Sequence, residues 1–233
     1  MDHRIGTRQE WFEARKKLLA REKALTRERD AVAAERRALP WVKIEKTYAF
    51  DSNDGKVTLA DLFAHRSQLM IYHFMYGPDW KEGCPGCSFI ADHVDAARQH
   101  FEHNDLSFAA VSRTGVANIE AYRKRMGWTF RWVSSLGSDF NYDFGVSFHK
   151  QDIEAGTAVY NFNRKTGDME ELHGESCFYK DNDGAIYHTY SSYGRAGEEL
   201  LGAYRFLDLA PLGRNEDGKG MMAWMRRHDQ YGK

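Results

Sequence analysis

The sequence has few cysteines and no excess of charge of either sign. Three cysteines among 233 residues are too few for the disulfide framework of a small secreted scaffold. The 33 basic residues nearly balance the 34 acidic ones, so the net charge is -1 and no electrostatic field favours nucleic acid or a membrane surface. We therefore expect a thiol, a disulfide or a small oxidant as the partner, and neither nucleic acid nor a membrane.

Long apolar runs are also missing. No stretch of about 18 uninterrupted apolar residues offers a membrane span, and residues 1–10 lack the apolar region of a secretory signal. These absences predict a cytoplasmic protein. In a reducing compartment a Cys-x-x-Cys pair is more often catalytic or metal-binding than structural. The aromatic content of 14% is ample for a sizeable hydrophobic core, so we expect a globular protein.

The first 40 residues predict a long helical arm. Thr7, followed three residues later by Glu10, matches a capping box, strong helix formers dominate afterwards, and Pro40 stops the pattern. Five apolar residues recur at intervals of seven: Trp11, Leu18, Leu25, Val32 and Leu39. The other core position of each heptad holds alanine, arginine or glutamate, which leaves only a thin coiled-coil seam. We expect residues 1–40 to dock along the same domain, or along a second copy of the chain in a homodimer.

Residues 41–210 predict an α/β domain. The run Leu69–Met75 is apolar on both faces apart from His73, which is typical of a central parallel strand with helices above and below it. Helical spacing of apolar residues follows from Cys87 to Phe101. The other predicted elements are a hairpin at 46–59, strands at 106–112, 129–133 and 158–162, helices at 116–126 and 139–146, a hairpin at 177–191 and a closing helix at 196–207. This order predicts an α/β sandwich with a mixed central sheet.

Residues 211–233 are predicted to form a C-terminal tail. The tail is rich in glycine and polar residues until an apolar cluster at 221–225. We expect this cluster to dock on a protein surface rather than to bind a cofactor. No cofactor is expected elsewhere in the chain.

The segment Cys84-Pro85-Gly86-Cys87 lies where the apolar strand gives way to the helical pattern. Two thiols at such a junction are typical of a reversible dithiol/disulfide switch. A thiol at the first turn of a helix faces unpaired N–H groups and the positive end of the helix dipole, which lowers its pKa. Cys84 is therefore the predicted nucleophile, and Cys87, on the buried stripe, the resolving thiol. Pro85 suits the first helical position, and Gly86 allows close approach of another molecule.

Several neighbours of the thiols are weaker candidates for the site. Trp80 is a candidate to cover the dithiol, and Lys81 to lower its pKa, although exposed loop charges such as these and Asp79 usually have no effect. His73 is a candidate proton shuttle, but a hydrogen-bonded core histidine is the simpler interpretation.

Further along the chain, Arg113 follows the strand at 106–112, and Arg195 opens the closing helix. Either arginine can hold an anionic substrate or simply be paired at the surface. Tyr190 and Tyr193 are candidates to line a pocket, although core positions are more common for such residues. Cys177 is most simply a small buried hydrophobe.

Three motifs resemble a known family. They are Gly83–Phe89, His188–Tyr193, and Leu207-Asp208 followed by Pro211–Arg214. With these motifs the chain resembles the DUF899 family, thioredoxin-like proteins without a settled function, from the N-terminal helix to about Glu216. The strand, Cys-x-x-Cys and helix are also similar to thioredoxins, and the longer layout to peroxiredoxins. The resemblance implies a thioredoxin-like fold and a redox role.

The chain departs from both better-known relatives. A thioredoxin has a cis-proline facing its dithiol, but the corresponding stretch here is residues 173–176, and no proline lies between Pro85 and Pro211. Peroxiredoxins place a proline and a threonine or serine seven and three residues before the reactive cysteine. Relative to Cys84, those positions hold Gly77 and Lys81, which disfavours peroxide reduction by the usual motif.

Two alternatives to a thiol oxidoreductase stay open. Two thiolates and a nearby histidine can hold Zn²⁺ or Cu⁺, although a second Cys-x-x-Cys or a His-x₃-His is missing and we predict no metal ligands. The thiols can also simply pack in the core of a non-catalytic scaffold or dimer.

Overall fold

The computed structural model describes residues 3–232. The chain divides into two compact units, with the boundary between Pro40 and Trp41. The first unit contains helix α1 (Arg8–Arg37), and its predicted capping box is confirmed: Thr7 Oγ1 accepts the Glu10 N–H at 3.2 Å, and the Glu10 carboxylate accepts the Thr7 N–H at 2.7 Å. No residue of α1 is buried. Self-association through this helix stays a prediction.

The second unit contains the sheet and the remaining helices. Its strands are β1 (Val42–Lys43), β2 (Ala49–Ser52), β3 (Gly55–Thr58), β4 (Gln68–His73), β5 (Leu106–Ser112), β6 (Arg131–Ser134), β7 (Val159–Tyr160), β8 (Arg164–Lys165), β9 (Gly174–Lys180) and β10 (Ile186–Tyr193). Its helices are α2 (Leu59–Leu62), α3 (Pro85–Ala91), α4 (Val94–His103), α5 (Val116–Met126), α6 (Phe140–Asp143), α7 (Lys150–Glu154) and α8 (Gly202–Leu209), with 3₁₀ turns at Gly194–Leu200 and His228–Gln230.

The strand order confirms the predicted fold class. The large sheet runs β1-β10-β9-β4-β5-β6-β2-β3. Strand β4 pairs in parallel with β5, and β5 with β6, whereas β9 lies antiparallel to β4 on its other side and β10 antiparallel to β9. A parallel pair joined through helices, flanked by an antiparallel hairpin, is the thioredoxin-like sandwich with a mixed central sheet.

The sheet separates two hydrophobic cores. Because successive residues of a strand point to opposite faces, β4 contributes to both. Tyr72 belongs to the core that contains Cys87, and we call this side the thiol face. Ile71 belongs to the other core, where His73 stacks against Phe140, and we call this side the histidine face. Helices α3, α5 and α8 pack on the thiol face, and α2 and α6 on the histidine face.

Four predicted elements are wrong in their extent, and one of them, the helix expected at 139–146, is only the four-residue α6. The helix expected from residue 87 to residue 101 is broken between α3 and α4, where the His93 ring bonds the Phe89 carbonyl at 2.7 Å and accepts the Ala203 N–H at 3.0 Å. The strand expected at 158–162 ends early because Asn161 and Phe162 have φ values of 50° and 68°, which no extended strand accommodates. The closing helix is a 3₁₀ turn followed by α8.

Candidate functional site

The two thiols of the Cys-x-x-Cys segment lie at the start of α3. Cys84 is the N-cap residue, and Pro85 occupies the first turn, where its missing N–H costs nothing. The Cys84 N–H donates to the Met75 carbonyl at 3.0 Å, which ties the loop to the end of β4. The Ser88 N–H and Oγ both donate to the Cys84 carbonyl, each at 2.9 Å. The backbone around Cys84 is therefore fixed on both sides.

The two sulfurs have unequal surroundings. Cys84 is half-buried, whereas Cys87 is 2% exposed and packs on the thiol face. Hydrogen bonds from the Cys87 thiol and from the Cys87 and Gly86 N–H groups, with the charge of Arg227, outweigh burial and lower the pKa of Cys84 to about 6. Burial, followed by the neighbouring Cys84 sulfur, raises the pKa of Cys87. The outer thiol is thus the more acidic one.

Arg227 is a site residue that sequence reasoning missed. Its guanidinium donates to the Gly83 carbonyl and to the Tyr122 hydroxyl, both at 2.7 Å, and pairs with Glu82 at 3.0 Å. The side chain is only 12% exposed, so its charge is poorly screened. This arginine, rather than the exposed Lys81, is the cation that acts on Cys84. Its position 143 residues after the thiol left no signal in the local sequence.

The apolar cluster at 221–225 docks, as predicted, on a surface of the domain. Met222, Trp224 and Met225 pack against the thiol-face core. The docking point is the dithiol itself, because Met222 and Met225 lie beside Gly86. The sequence predicted the docking but not its place.

His73 lies away from the thiols. It is fully buried on the histidine face and packs against the rings of Phe140 at 5.5 Å and Phe144 at 5.8 Å, and its Nε2 bonds the Ser176 hydroxyl at 2.9 Å. Burial lowers the pKa of His73 to about 3. The candidate role as proton shuttle is therefore wrong, because the sheet separates this imidazole from Cys87. The simpler interpretation as a core histidine is right.

The polar side chains on the same side of the sheet as the dithiol are those of Tyr72 and its cross-strand neighbour Glu175. The Tyr72 hydroxyl lies within reach of the Cys87 sulfur, without the geometry of a full hydrogen bond. Tyr72 pairs across the sheet with Glu175, whose Oε2 accepts the Ser192 hydroxyl at 2.9 Å while Oε1 is buried without a partner among the described residues. Burial raises the pKa of Glu175 to about 7.

The other predicted supporting residues occupy ordinary structural positions. Trp80 is half-buried, packs on the thiol-face core and covers Gly77, where a Cβ would lie 2.8 Å from its Nε1. Arg113 pairs at 2.7 Å with the buried Glu171, so its charge is already matched. Arg195 pairs at 2.6 Å with Glu198. The interpretation of these two arginines as simply paired therefore holds.

The remaining candidates lie in the hairpin of β9 and β10. The Tyr193 hydroxyl donates to the Phe144 carbonyl at 3.0 Å, on the histidine face. Tyr190 and Cys177 are directly paired across the two strands, and both are half-buried. Neither is brought to the dithiol by a contact that the structure describes.

A cavity of about 240 Å³ lies next to the site. Its walls are mainly apolar and include Ile90 of α3, and Met222 borders both this cavity and the space beside Gly86. His173 also lines it, with a buried Nδ1 that has no partner among residues 3–232 and a pKa that burial lowers to about 4. The cavity offers room for a small, mostly apolar group close to the thiols.

Two features are absent from residues 3–232. No three side chains of histidine, cysteine, aspartate or glutamate gather there as a metal site. Within the same residues, no helix is long and apolar enough to cross a membrane.

The fold and the site together define a thioredoxin-like domain with two thiols at the start of its first crossover helix. The chain belongs to the family described as "Bacterial protein of unknown function (DUF899)", which it matches over residues 1–231. This match confirms the resemblance inferred from the motifs. No curated protein matches the sequence.

Several solved structures are similar to this chain. A mutant of PrxQ from Xylella fastidiosa is 18% identical with a TM-score of 0.43, over 70% of this chain and 89% of that one. The peroxidoxin BcpB from Mycobacterium tuberculosis is 13% identical with a TM-score of 0.48, over 72% and 96%. The mitochondrial 2-Cys peroxiredoxin from Plasmodium falciparum is 14% identical with a TM-score of 0.40, over 72% and 92%. The fold assignment made above rests on the strand order.

Proposed function

We propose that this protein is a thiol–disulfide oxidoreductase in which Cys84 is the nucleophile and Cys87 the resolving thiol. One observation carries the proposal: two interacting thiols lie at the start of α3, the first partly buried and the second fully buried. The less buried cysteine is also the one with the lowered pKa, so the thiolate forms at the residue nearer the surface.

The proposed reaction passes two electrons from the dithiol to a disulfide. The Cys84 thiolate attacks one sulfur of a substrate disulfide, the substrate S–S bond breaks, and the first substrate thiolate leaves. Cys87 then loses its proton and attacks the Cys84 sulfur of the mixed disulfide. The second substrate thiolate leaves, and an intramolecular Cys84–Cys87 disulfide remains. The substrate gains two electrons and two protons, and the dithiol loses them.

The high pKa of Cys87 suits the order of these steps. Part of that increase comes from the negative charge on the neighbouring Cys84 sulfur. Once Cys84 is bonded to the substrate it carries no charge, so this contribution disappears and Cys87 is easier to deprotonate. The resolving thiol is therefore held neutral until a mixed disulfide has formed.

A trapping experiment tests the proposal. The Cys87→Ser variant is incubated with oxidised glutathione, and the protein is digested and analysed by mass spectrometry. We expect a stable glutathione adduct on Cys84, because the thiol that would release it is gone. The wild-type protein should instead yield a disulfide between Cys84 and Cys87 without a lasting adduct.

Two variants serve as controls. Cys84→Ser should form no adduct on Cys87, since that sulfur is buried, and Cys177→Ser should behave as the wild type. An adduct that forms equally on Cys177, or a wild-type dithiol that never converts to a disulfide, would contradict the assignment of roles.

A further inference from the structure

Four sulfur-containing side chains gather at the start of α3. A Cβ placed on Gly86 would lie 3.8 Å from Cys84 Sγ, 3.9 Å from Met222 Sδ and 4.0 Å from Met225 Cε. Cys87, one turn further along α3, interacts with the same Cys84 sulfur, because each thiol shifts the pKa of the other. A thiol and two methionine side chains therefore meet beside Gly86, with the second thiol next to the first.

The thioethers are held at this place by a defined set of hydrogen bonds. Glu216 Oε1 accepts from the Met222 N–H at 2.9 Å, the Trp224 indole at 3.1 Å and the Tyr204 hydroxyl at 2.9 Å. The Trp224 ring packs edge-on against Phe89 of α3 at 5.8 Å. The segment that carries both methionines is thus fixed to the helix that carries both cysteines.

The available donors are all soft. Across residues 3–232 no third histidine, cysteine or carboxylate joins the two cysteines. Structural Zn²⁺ takes four ligands of those types, and Mg²⁺ or Ca²⁺ takes oxygen. Thiolate and thioether sulfurs select Cu(I) among the common metal ions. The chemistry of the donor set therefore favours a monovalent soft ion.

We propose that Cys84, Cys87 and Met222 bind one Cu(I) ion beside Gly86, close to Met225. The ion bonds to the sulfurs and the thiol protons are released to solvent, while no atom changes its oxidation state. Copper binding and disulfide formation exclude each other, because both use the same cysteine sulfurs. The proposal stands on the donor arrangement and does not rest on the oxidoreductase activity proposed above.

A competition titration tests this site. The reduced full-length protein is titrated with Cu(I) under nitrogen in the presence of the chelator bicinchoninate. We expect one ion per chain, and a loss of apparent affinity of about tenfold or more in Met222→Leu, where a coordinating sulfur is replaced at similar volume. Met221→Leu is the matched control, because Met221 lines the neighbouring cavity and should leave the affinity unchanged.

A second measurement separates coordination from folding. X-ray absorption of the copper-loaded proteins should show one sulfur neighbour fewer in Met222→Leu than in Met221→Leu. Equal affinities and equal sulfur counts in the two variants would overturn the proposal, since the dithiol alone would then hold the ion. The reaction of Met222→Leu with oxidised glutathione serves as an independent check, because it tests the redox role without copper.

Discussion

The two faces of the central sheet bury polar side chains in different ways. On the histidine face, His73 bonds Ser176 at 2.9 Å, Ser176 bonds Ser191 at 2.8 Å, and Ser191 bonds His188 at 2.7 Å. On the thiol face, the Tyr72 hydroxyl and Glu175 Oε1 are buried without a full hydrogen bond to any described residue. The same strands, β4 and β9, supply groups to both sides.

The difference shows where buried polar groups lower the stability of the fold. A buried polar group without a partner costs about 1–3 kcal/mol, whereas a connected set contributes to a unique packing. Among the described residues the histidine face has unmet groups as well, namely the second nitrogen of His73 and the Nε of Arg113, which stacks on Tyr142 of α6. On the thiol face the unmet Tyr72 hydroxyl lies close to Cys87, where the proposed reaction needs a changing protonation state, and Glu175 is the cross-strand neighbour of Tyr72. Polar groups whose burial destabilises the fold therefore lie close to the proposed reactive thiols.

The strongest test of the comparison is the reactivity of the two thiols. At pH 7 we expect iodoacetamide to modify Cys84 in the Cys87→Ser variant at least about a hundredfold faster than it modifies Cys87 in Cys84→Ser, because only the former is a partly exposed thiolate. In the wild-type protein the rate at Cys84 should rise through about pH 6, the pKa of that thiol beside Cys87, and then level off. Alkylation is followed by mass spectrometry.

Unfolding each variant in urea before alkylation provides the control, since both cysteines should then react alike. Similar rates in the folded proteins would remove the distinction between nucleophile and resolving thiol.

The next largest effect is expected from Glu175. Its pKa of about 7 is above that of an unfolded glutamate, so the neutral side chain is favoured by folding and stability is lost as the pH rises from about 4 to 7. The Glu175→Gln variant has nothing to titrate at this position. We therefore expect the free energy of unfolding of the variant, relative to that of the wild type, to increase by up to about 3 kcal/mol as the pH is raised from 4.5 to 8.

Urea unfolding at a series of pH values measures this gain. Glu170→Gln, at an exposed side chain, is the matched control and should follow the wild type throughout. Curves for Glu175→Gln that stay parallel to the wild type would show that the carboxyl is not held neutral on the thiol face.

A smaller loss is expected on the histidine face. Ser176→Ala leaves the His73 Nε2 without its partner and should lower the free energy of unfolding by about 1–3 kcal/mol. The alkylation rate of Cys84 should not change, because the sheet lies between the two sites. A slowed alkylation of Cys84 in this variant would mean that the two faces are coupled.

The smallest expected effect separates two cations. Arg227→Met should slow alkylation of Cys84 at pH 6 by a factor of about 3 to 10, because the nearby charge that favours the thiolate is removed. Lys81→Met should leave the rate unchanged, and Arg227→Lys should restore most of it by restoring the charge. Equal effects of the Arg227 and Lys81 changes would remove Arg227 from the site.

Much of the fold could be predicted because its signals are local. The observed bounds of β5 and α5 are those that the sequence predicts, since an apolar run and a helical stripe need no partner to be recognised. The break between α3 and α4 had no such signal. It depends on His93, which bonds Ala203 more than a hundred residues away. Helix ends that are set by tertiary hydrogen bonds cannot be predicted from spacing.

The candidate site was predictable in its sulfurs but not in its surroundings. Cys84 and Cys87 can be recognised from their spacing and from the strand that precedes them. The groups that act on them from a distance, Tyr72 and Arg227, come from two separate parts of the chain, and Glu175, from a third part, acts on Tyr72. The sequence singles out His73 and not Tyr72, because it does not reveal which face of β4 receives the thiols. Only the packing of α3 decides that question.

The pairing of β4 with its neighbours therefore sets the environment of the dithiol from a distance. Tyr72 lies opposite Ala110 on one side and Glu175 on the other. A slip of this strand by a single residue would turn the phenol away and bring an imidazole beneath Cys87, without altering any residue of the thiol-bearing turn. Insertions or deletions at the outer end of β4, near Gln68, would thus change thiol reactivity more profoundly than many substitutions next to the sulfurs.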